Sequence, residues 1–249
     1  MVRNIVGERA VFLPDVHVPY QDEKAVKAAL AFIRFFKPHH VWLLGDVIDF
    51  YSISRFRKDP KRNEQLQDDL DETCDFLKRV RDAAPRAKRH YIFGNHEARL
   101  RNYLWTDAAA LNSLRSLRLH EQLHLVEYGF KWYERGWTRW HDIIVKHGNI
   151  VRQQAGASAH AELLKNGLSG VSGHTHRLGQ AFKTNAAGIY TWVESGCLAK
   201  TTPEYLEGQQ ADWQHGLTIG FVKKHSTRFS LSPIPIIDGT LLFDLKTIC

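Results

Sequence analysis

The chain has 249 residues, of which 43% are hydrophobic and 24% are charged, and its formal net charge is +7. This length and composition predict a globular protein with a large buried core. Because no apolar run approaches about 20 residues or resembles a secretory signal, we expect a cytoplasmic protein with no membrane partner. Three widely spaced cysteines argue against a disulfide scaffold and a thiolate zinc site, whereas the positive charge favours anionic partners such as phosphate esters or nucleic acid.

The first part of the chain alternates between apolar strands and amphipathic helices. Strands are predicted at Arg9–Leu13, Val41–Leu44 and His90–Phe93. Between them, apolar residues recur at helical spacing after Asp22 and again after Leu66, and Pro38 and Pro85 end the two helices. Strands and helices in this order predict a parallel sheet with right-handed crossovers.

Each of these three strands ends in a cluster of residues that can bind a metal or a substrate. The clusters are Asp15 with His17, Asp46 with Asp49, and Asn95 with His96. Open α/β sheets bind ligands just beyond the carboxyl ends of their strands, so we expect these side chains to converge. One carboxylate at a strand end commonly caps the next element, but three coincident clusters are hard to explain in that way.

Residues 98–140 have a different composition, in which tryptophans alternate with arginines. Leu100, Tyr103, Leu104, Leu111 and Leu114 suggest a helix. We interpret the stretch as a helical, aromatic insertion that caps the sheet edge. The alternative is a plain packing layer.

The second part of the chain begins with a strand at Ile143–Lys146, directly followed by His147. A short helix is predicted at Ala157–Lys165, and the apolar residues before Gly173 lead to His174 and His176. Five short strands follow, at Gln180–Lys183, Ile189–Val193, Leu217–Val222, Arg228–Pro233 and Thr240–Leu245. We expect them to be antiparallel, in a second sheet packed on the first. Without an internal repeat or linker, the simplest organisation is one domain over residues 1–249.

Five strand ends thus carry histidine, aspartate or asparagine. A single histidine in such a place is more often a core residue, but five clusters together favour a metal site. Mixed nitrogen and oxygen ligands suit manganese, iron or zinc. Two metals about 3.5–4 Å apart require a bridging carboxylate, and they can clamp the attacking and leaving oxygens of a displacement at phosphorus.

The five clusters, in this order, resemble the motifs of the calcineurin-like metallophosphoesterases. They are Asp15-Val16-His17, Gly45-Asp46-Val47-Ile48-Asp49, Gly94-Asn95-His96-Glu97, His147-Gly148 and Gly173-His174-Thr175-His176. Each motif is short, but the ordered set is specific and spans residues 15 to 176. The resemblance implies a four-layer α/β/β/α sandwich, in which two sheets are flanked by helices.

The resemblance also implies a role for each site residue. One metal would be held by Asp15, His17 and His176, and the other by Asn95, His147 and His174. Asp46 would bridge two divalent ions, with Mn²⁺ expected first and Fe, Zn, Ni or Mg as alternatives, and a hydroxide between the ions would be the nucleophile. His96 would be the catalytic imidazole, oriented by Asp49. A helix N-cap is the alternative role for Asp49.

The sequence departs from two branches of the family. Phe50-Tyr51 follows the second motif where protein Ser/Thr phosphatases carry Arg-Gly, and His96 stands where the UDP-diacylglucosamine hydrolases of the lipid A pathway place an arginine. Both branches are therefore disfavoured. Because of the positive charge and the presence of His96, we expect a metal-dependent phosphoesterase that prefers phosphodiesters of nucleotides or nucleic acid. The alternatives are a phosphomonoesterase acting on small molecules and a non-catalytic scaffold of the same fold.

Two arginines just after the third motif are candidate substrate contacts. Arg99 and Arg101 can each hold a phosphate group through two parallel hydrogen bonds. The alternative is that both are exposed helix residues without a functional role.

Overall fold

The protein is described by a computed structural model over residues 7–58, 65–202, 211–223, 226–244 and 246–249. Its strands, in chain order, are β1 Gly7–Leu13, β2 His40–Leu43, β3 Lys88–Ile92, β4 Phe130–Tyr133, β5 Trp137–Trp140, β6 Ile143–Lys146, β7 Gly170–Ser172, β8 Leu178–Asn185, β9 Gly188–Ser195, β10 Gly216–Lys223, β11 Phe229–Pro235, β12 Leu241–Phe243 and β13 Lys246–Ile248. Its helices are α1 Glu23–Phe36, α2 Leu66–Ala83, α3 Glu97–Thr106, α4 Leu119–Gln122 and α5 Ala157–Asn166. No helix within these ranges is both long and apolar enough to cross a membrane.

The first sheet has the strand order β11-β10-β1-β2-β3-β4. Strands β1 to β4 run parallel. On the other side of β1, β10 pairs antiparallel with β1, and β11 pairs antiparallel with β10. Helix α1 connects β1 to β2 and begins where the sequence indicates, because the Asp22 carboxylate accepts the Ala25 N–H and caps it. Both crossover helices end before the prolines that were expected to stop them.

The second sheet has the order β5-β6-β7-β9-β8, in which β6, β7 and β9 are parallel. The two sheets share one apolar core, to which β1 contributes Phe12 and the second sheet contributes Val145 and Val193. The alternate β1 residues Val11 and Leu13 face α1 and α2 on the outside. Helix α5 covers the other outer face, so the predicted α/β/β/α layers are confirmed.

The stretch 98–140 was expected to be a helical insertion, and that expectation is wrong for its second half. Helix α3 ends at Thr106, and Leu111 and Leu114, which were assigned to it, are about half exposed. Strand β4 then pairs with β3 at the edge of the first sheet, and β5 pairs with β6 at the edge of the second. The stretch therefore supplies one edge strand to each sheet.

The C-terminal strands were expected to form one antiparallel second sheet, and this is also wrong in part. Strands β10 and β11 join the first sheet beside β1, and β9 runs parallel to β7. The residues of β10 from Gly216 to Gly220 are all buried, which suits a strand in the interior of a sheet rather than at its edge. The last predicted strand, Thr240–Leu245, forms a hairpin with β13 from Leu241 to Phe243, and residue 245 lies outside the described residues.

Candidate metal centre

The five polar clusters meet at one place, where the carboxyl ends of β1, β2 and β3 face those of β6 and β7. Several of the residues there have a left-handed backbone conformation, which residues other than glycine rarely adopt. They are Asp15 (φ 29°), His17 (52°), Asp46 (49°), His174 (74°) and His176 (58°). Such conformations concentrate at functional sites, where the surrounding structure holds them in place. The strained turns aim these side chains into the space between the strand ends.

Two glycines allow the turns to approach each other. A Cβ atom on Gly94 would lie 2.2 Å from Oδ1 of Asp46, and one on Gly173 would lie 2.4 Å from Oδ2 of Asp15. Both contacts are far inside van der Waals distance. Glycine at these positions therefore lets the two carboxylates approach the neighbouring turns closely.

The first predicted ligand set is compact and buried. His17 Nε2 lies 3.0 Å from His176 Nε2, and His176 Nε2 lies 3.5 Å from Oδ1 of Asp15. The backbone N–H of His174 is shared between the two oxygens of the Asp15 carboxylate, at 3.0 and 2.8 Å. Because bonds of about 2.0–2.1 Å to one ion place ligand atoms about 3.0–3.4 Å apart, this spacing fits a shared cation.

The second predicted set has the same spacing. His147 Nε2 lies 2.9 Å from Asn95 Oδ1 and 3.1 Å from His174 Nδ1. The other ring nitrogen of His147 donates to the main-chain oxygen of Leu44 over 2.9 Å, so in the neutral ring the lone pair lies on Nε2. An oxygen and two imidazole nitrogens thus converge on one point.

One oxygen connects the two sets. Asp46 Oδ2 lies 3.8 Å from His17 Nε2 and 3.3 Å from His147 Nε2. The other oxygen of this carboxylate accepts the His96 N–H at 2.9 Å, so Oδ2 is fixed in its orientation. Asp46 Oδ2 therefore faces both ligand sets, which is the position that the family resemblance implies for a bridging carboxylate.

The electrostatics of the cluster also suit cations. Burial alone would lower the pKa of His147, but the carboxylates of Asp46, Asp15 and Glu97 together outweigh burial and raise that pKa to about 10. Burial opposes the charge of Asp46 as well, yet the surrounding imidazoles hold its pKa well below the usual range. A buried cluster of acceptors that draws a proton to its centre is also one that attracts a divalent cation. The donor set thus fits two divalent metal ions.

His96 lies beside the bridging carboxylate, with its Nε2 3.8 Å from Asp46 Oδ2. Its Nδ1 donates to the main-chain oxygen of Asp49 at 2.9 Å and lies 3.2 Å from Oδ2 of the same residue. That Oδ2 also accepts the Nδ1 proton of His17 at 2.9 Å. Asp49 therefore orients one predicted ligand and the predicted catalytic imidazole together, which is a larger role than a helix N-cap.

The two arginines predicted as substrate contacts lie in different surroundings. Arg99 donates to the main-chain oxygen of Asp49 at 2.8 Å and to His96 Nε2 at 3.0 Å. Arg101 instead lies over the Trp105 ring, 5.0 Å from its centroid. Arg99 thus reaches the site through Asp49 and His96, whereas Arg101 packs against Trp105 one turn further along α3.

Glu97 is a site residue to which the sequence reasoning gave no role. Its buried carboxylate accepts N–H donations from Asp46 (2.9 Å), Val47 (2.8 Å) and Gly94 (2.7 Å), together with the Tyr91 hydroxyl proton (2.8 Å). Burial and the neighbouring Asp46 carboxylate raise the pKa of Glu97. Glu97 ties the turn after β2 to the turn after β3. A charged residue directly after Asn95 and His96, at the start of a helix, was the available signal.

Comparison with known proteins gives one family and several relatives. A sequence model of the calcineurin-like phosphoesterases matches residues 9–178, a range that contains every predicted metal ligand. The Gene 54 proteins of Mycobacterium phages L5 and D29 are each 24% identical to this chain over 265 aligned positions, covering 96% of it and 98% of the phage protein. The crystal structure of TT1561 of Thermus thermophilus aligns with a TM-score of 0.41 and 10% identity, over 91% of this chain and 98% of that one.

Proposed function

Because the chain belongs to the calcineurin-like phosphoesterase family, we propose that it is a two-metal hydrolase that prefers phosphodiesters of nucleotides or nucleic acid. The observation that carries this proposal is the position of Asp46, whose Oδ2 faces His17 Nε2 and His147 Nε2 at once. A carboxylate that faces two ligand sets from one oxygen is what a dinuclear site requires. The intact ligand sets and the presence of His96 weigh against a non-catalytic scaffold.

The residues that would hold the metals divide into the two sets described above. Asp15, His17 and His176 would hold one ion, Asn95, His147 and His174 the other, and Asp46 both. When bound, two divalent ions would activate water and stabilise charge on the phosphoryl oxygens. The mixture of imidazole nitrogens with carboxylate and amide oxygens supports Mn²⁺ as the first candidate.

His96 would act on the substrate through Nε2. Since Asp49 accepts the Nδ1 proton, the ring is held with Nε2 towards the space beside Asp46. In the protonated ring, Nε2 would donate a proton to the leaving oxygen or stabilise charge on the phosphoryl group, in place of the hydrogen bond that it accepts from Arg99 in this structure. Arg99 fixes the main-chain oxygen of Asp49 and thereby supports the same orientation.

The preference for diesters is supported by the shape and charge of the surroundings. A groove continues from Asn95, His147 and His174 along the second sheet and contains arginine side chains. The second alcohol of a diester has to extend beyond the metals, and a cationic groove beside the second ligand set offers a place for it. A phosphomonoesterase is the alternative that the first experiment separates.

The test is a pair of initial rates, measured with bis-p-nitrophenyl phosphate and with p-nitrophenyl phosphate, after chelation and again after addition of Mn²⁺. We expect hydrolysis that depends on the metal and is faster for the diester. A faster rate for the monoester would assign the protein as a phosphomonoesterase. Absence of any metal-dependent rate, in a protein shown by elemental analysis to have bound two ions, would overturn the enzymatic proposal.

A further inference from the structure

A groove of about 630 Å³ opens from the second ligand set and follows the outer face of β5 and β6. Trp137 and Arg139 lie on this face, because they pair with Lys146 and Ile144, and Ile144 belongs to the core beneath α5. Arg135, in the turn before β5, lies at the same side. The groove wall thus places one indole between two guanidinium groups.

All three of these side chains are exposed, and Trp137 is 52% accessible. Within the described residues, no carboxylate lies within ion-pair distance of Arg135 or Arg139. Lys146 is paired with Glu162 at 2.8 Å, and none of the described residues that line the groove is an aspartate or a glutamate. The groove is therefore cationic, and its charge comes from arginines that no described carboxylate neutralises.

The groove wall is attached directly to the predicted metal centre. The His147 N–H donates to the main-chain oxygen of Gly136 at 3.0 Å. Gly136 has φ +74°, and a Cβ atom there would lie 3.1 Å from the main-chain oxygen of Phe93, which precedes the turn that carries Asn95. Trp137 follows this glycine and pairs with Lys146, the residue directly before the predicted ligand His147. The indole is therefore carried next to the metal centre.

We propose that this groove binds single-stranded nucleic acid next to the phosphodiester that is cleaved, an inference that rests on the proposed function and specifies its substrate. Trp137 stacks on a base, and Arg135 and Arg139 contact phosphates on either side of it. Exposed aromatic rings between cations are the means by which proteins bind single strands without reading their sequence. A duplex keeps its bases stacked on each other and offers none to the indole.

The experiment measures binding separately from hydrolysis. A fluorescein-labelled oligothymidylate of about 12 nucleotides is titrated with the protein in EDTA, and fluorescence anisotropy gives the dissociation constant. We expect Trp137→Ala to raise this constant about 10-fold. We expect Arg135→Gln combined with Arg139→Gln to reduce the slope of log K against log salt by about 1.4, at about 0.7 per phosphate contact.

Matched controls come from α3 and from the stretch between α3 and α4. Trp105 is 59% exposed and lies on α3, so Trp105→Ala removes an equally accessible indole outside the groove. Arg115→Gln combined with Arg118→Gln removes the same charge from exposed positions. Equal losses of binding in groove and control variants would overturn the proposal, because binding would then depend on total charge or on exposed aromatic rings in general.

Two further outcomes separate this inference from the proposed function. If the unaltered protein hydrolyses bis-p-nitrophenyl phosphate but does not bind the oligonucleotide, the groove proposal fails and the phosphodiesterase stands. If the oligonucleotide binds in a manner that depends on Trp137 and no ester is hydrolysed, the groove stands and the enzymatic proposal fails. Tighter binding of a duplex that is insensitive to Trp137→Ala would also overturn the single-strand assignment.

Discussion

The two halves of the candidate metal centre differ in their surroundings. The first set is enclosed, with Asp15, His17 and His176 exposing 0%, 6% and 9% of their surfaces. The second set lies at the mouth of the groove, where Asn95 is exposed and His174 is partly so. The second set is thus the more accessible side of the centre through Asn95 and His174, since His147 exposes only 3% of its surface. On the proposed function, substrate would approach from this side.

The way in which each half is fixed differs as well. His17 of the first set donates to Asp49, which also orients His96, so this half is coupled to the predicted catalytic imidazole. His147 of the second set donates to the main-chain oxygen of Leu44, at the end of a central strand. A change at Asp49 should therefore affect chemistry and the first metal together, whereas the second half depends on the turns that hold Asn95 and His147.

The largest effect is expected where the halves meet. Asp46→Asn should lose both ions and reduce the rate with bis-p-nitrophenyl phosphate by about 10³-fold or more, because the bridging charge supports each ion. Elemental analysis of the purified variant measures the metal content. His174→Ala is the matched control and should keep the ion of the first set. If Asp46→Asn kept one ion and His174→Ala lost two, the assignment of the bridge would be wrong.

His96 lies between the halves without belonging to either. His96→Ala should reduce kcat by about 10²-fold or more while both ions remain bound. Steady-state kinetics and metal content are both measured. The metal content is needed because His96 lies close enough to Asp46 and His17 that these three side chains could themselves hold a metal ion. Loss of an ion in this variant would make His96 a ligand rather than the imidazole that acts on the substrate.

A substitution of Glu97 tests whether the turns after β2 and β3 depend on one buried carboxylate. Glu97→Gln should lower the free energy of unfolding by about 3 kcal/mol, because the amide offers one acceptor oxygen and turns its NH₂ group towards N–H donors. Denaturant titration measures this difference. Glu72→Gln, on an exposed position of α2, should stay within about 0.5 kcal/mol of the unaltered protein. Equal stabilities of the two variants would show that Glu97 does not stabilise the turns that carry the site.

The convergence of the predicted ligands could be anticipated from the sequence because each lies within a few residues of the end of its strand. A short apolar run followed at once by Asp46, or by His147, is a local signal, and the order of five such signals identifies the family. The role of Glu97 is different, because its acceptor atoms bond the backbone of a residue 51 positions away. Distances of that kind follow from how the turns pack, which no local pattern contains.

The strands β4 and β5 could not be predicted for a related reason. Each has four residues, and charged side chains such as Lys131 and Arg139 alternate with aromatic ones, so neither is an apolar run. They are strands because β3 and β6 offer free edges, and pairing with an edge determines the conformation of such a short segment more than its own composition does. The groove and its arginines follow from that pairing.

The smallest effect is expected at Arg99, and it separates a positioning residue from a substrate contact. Arg99→Lys keeps the charge, but one ammonium group cannot donate to Asp49 and His96 in the geometry of the guanidinium. We expect kcat to fall by about 10-fold with little change in KM, because the lysine loosens the orientation of His96. A higher KM with unchanged kcat would instead make Arg99 the phosphate contact that the sequence suggested. Arg101→Lys provides the comparison, and a rise in KM there would show that substrate reaches the face of α3 that carries Trp105, rather than the groove beside β5.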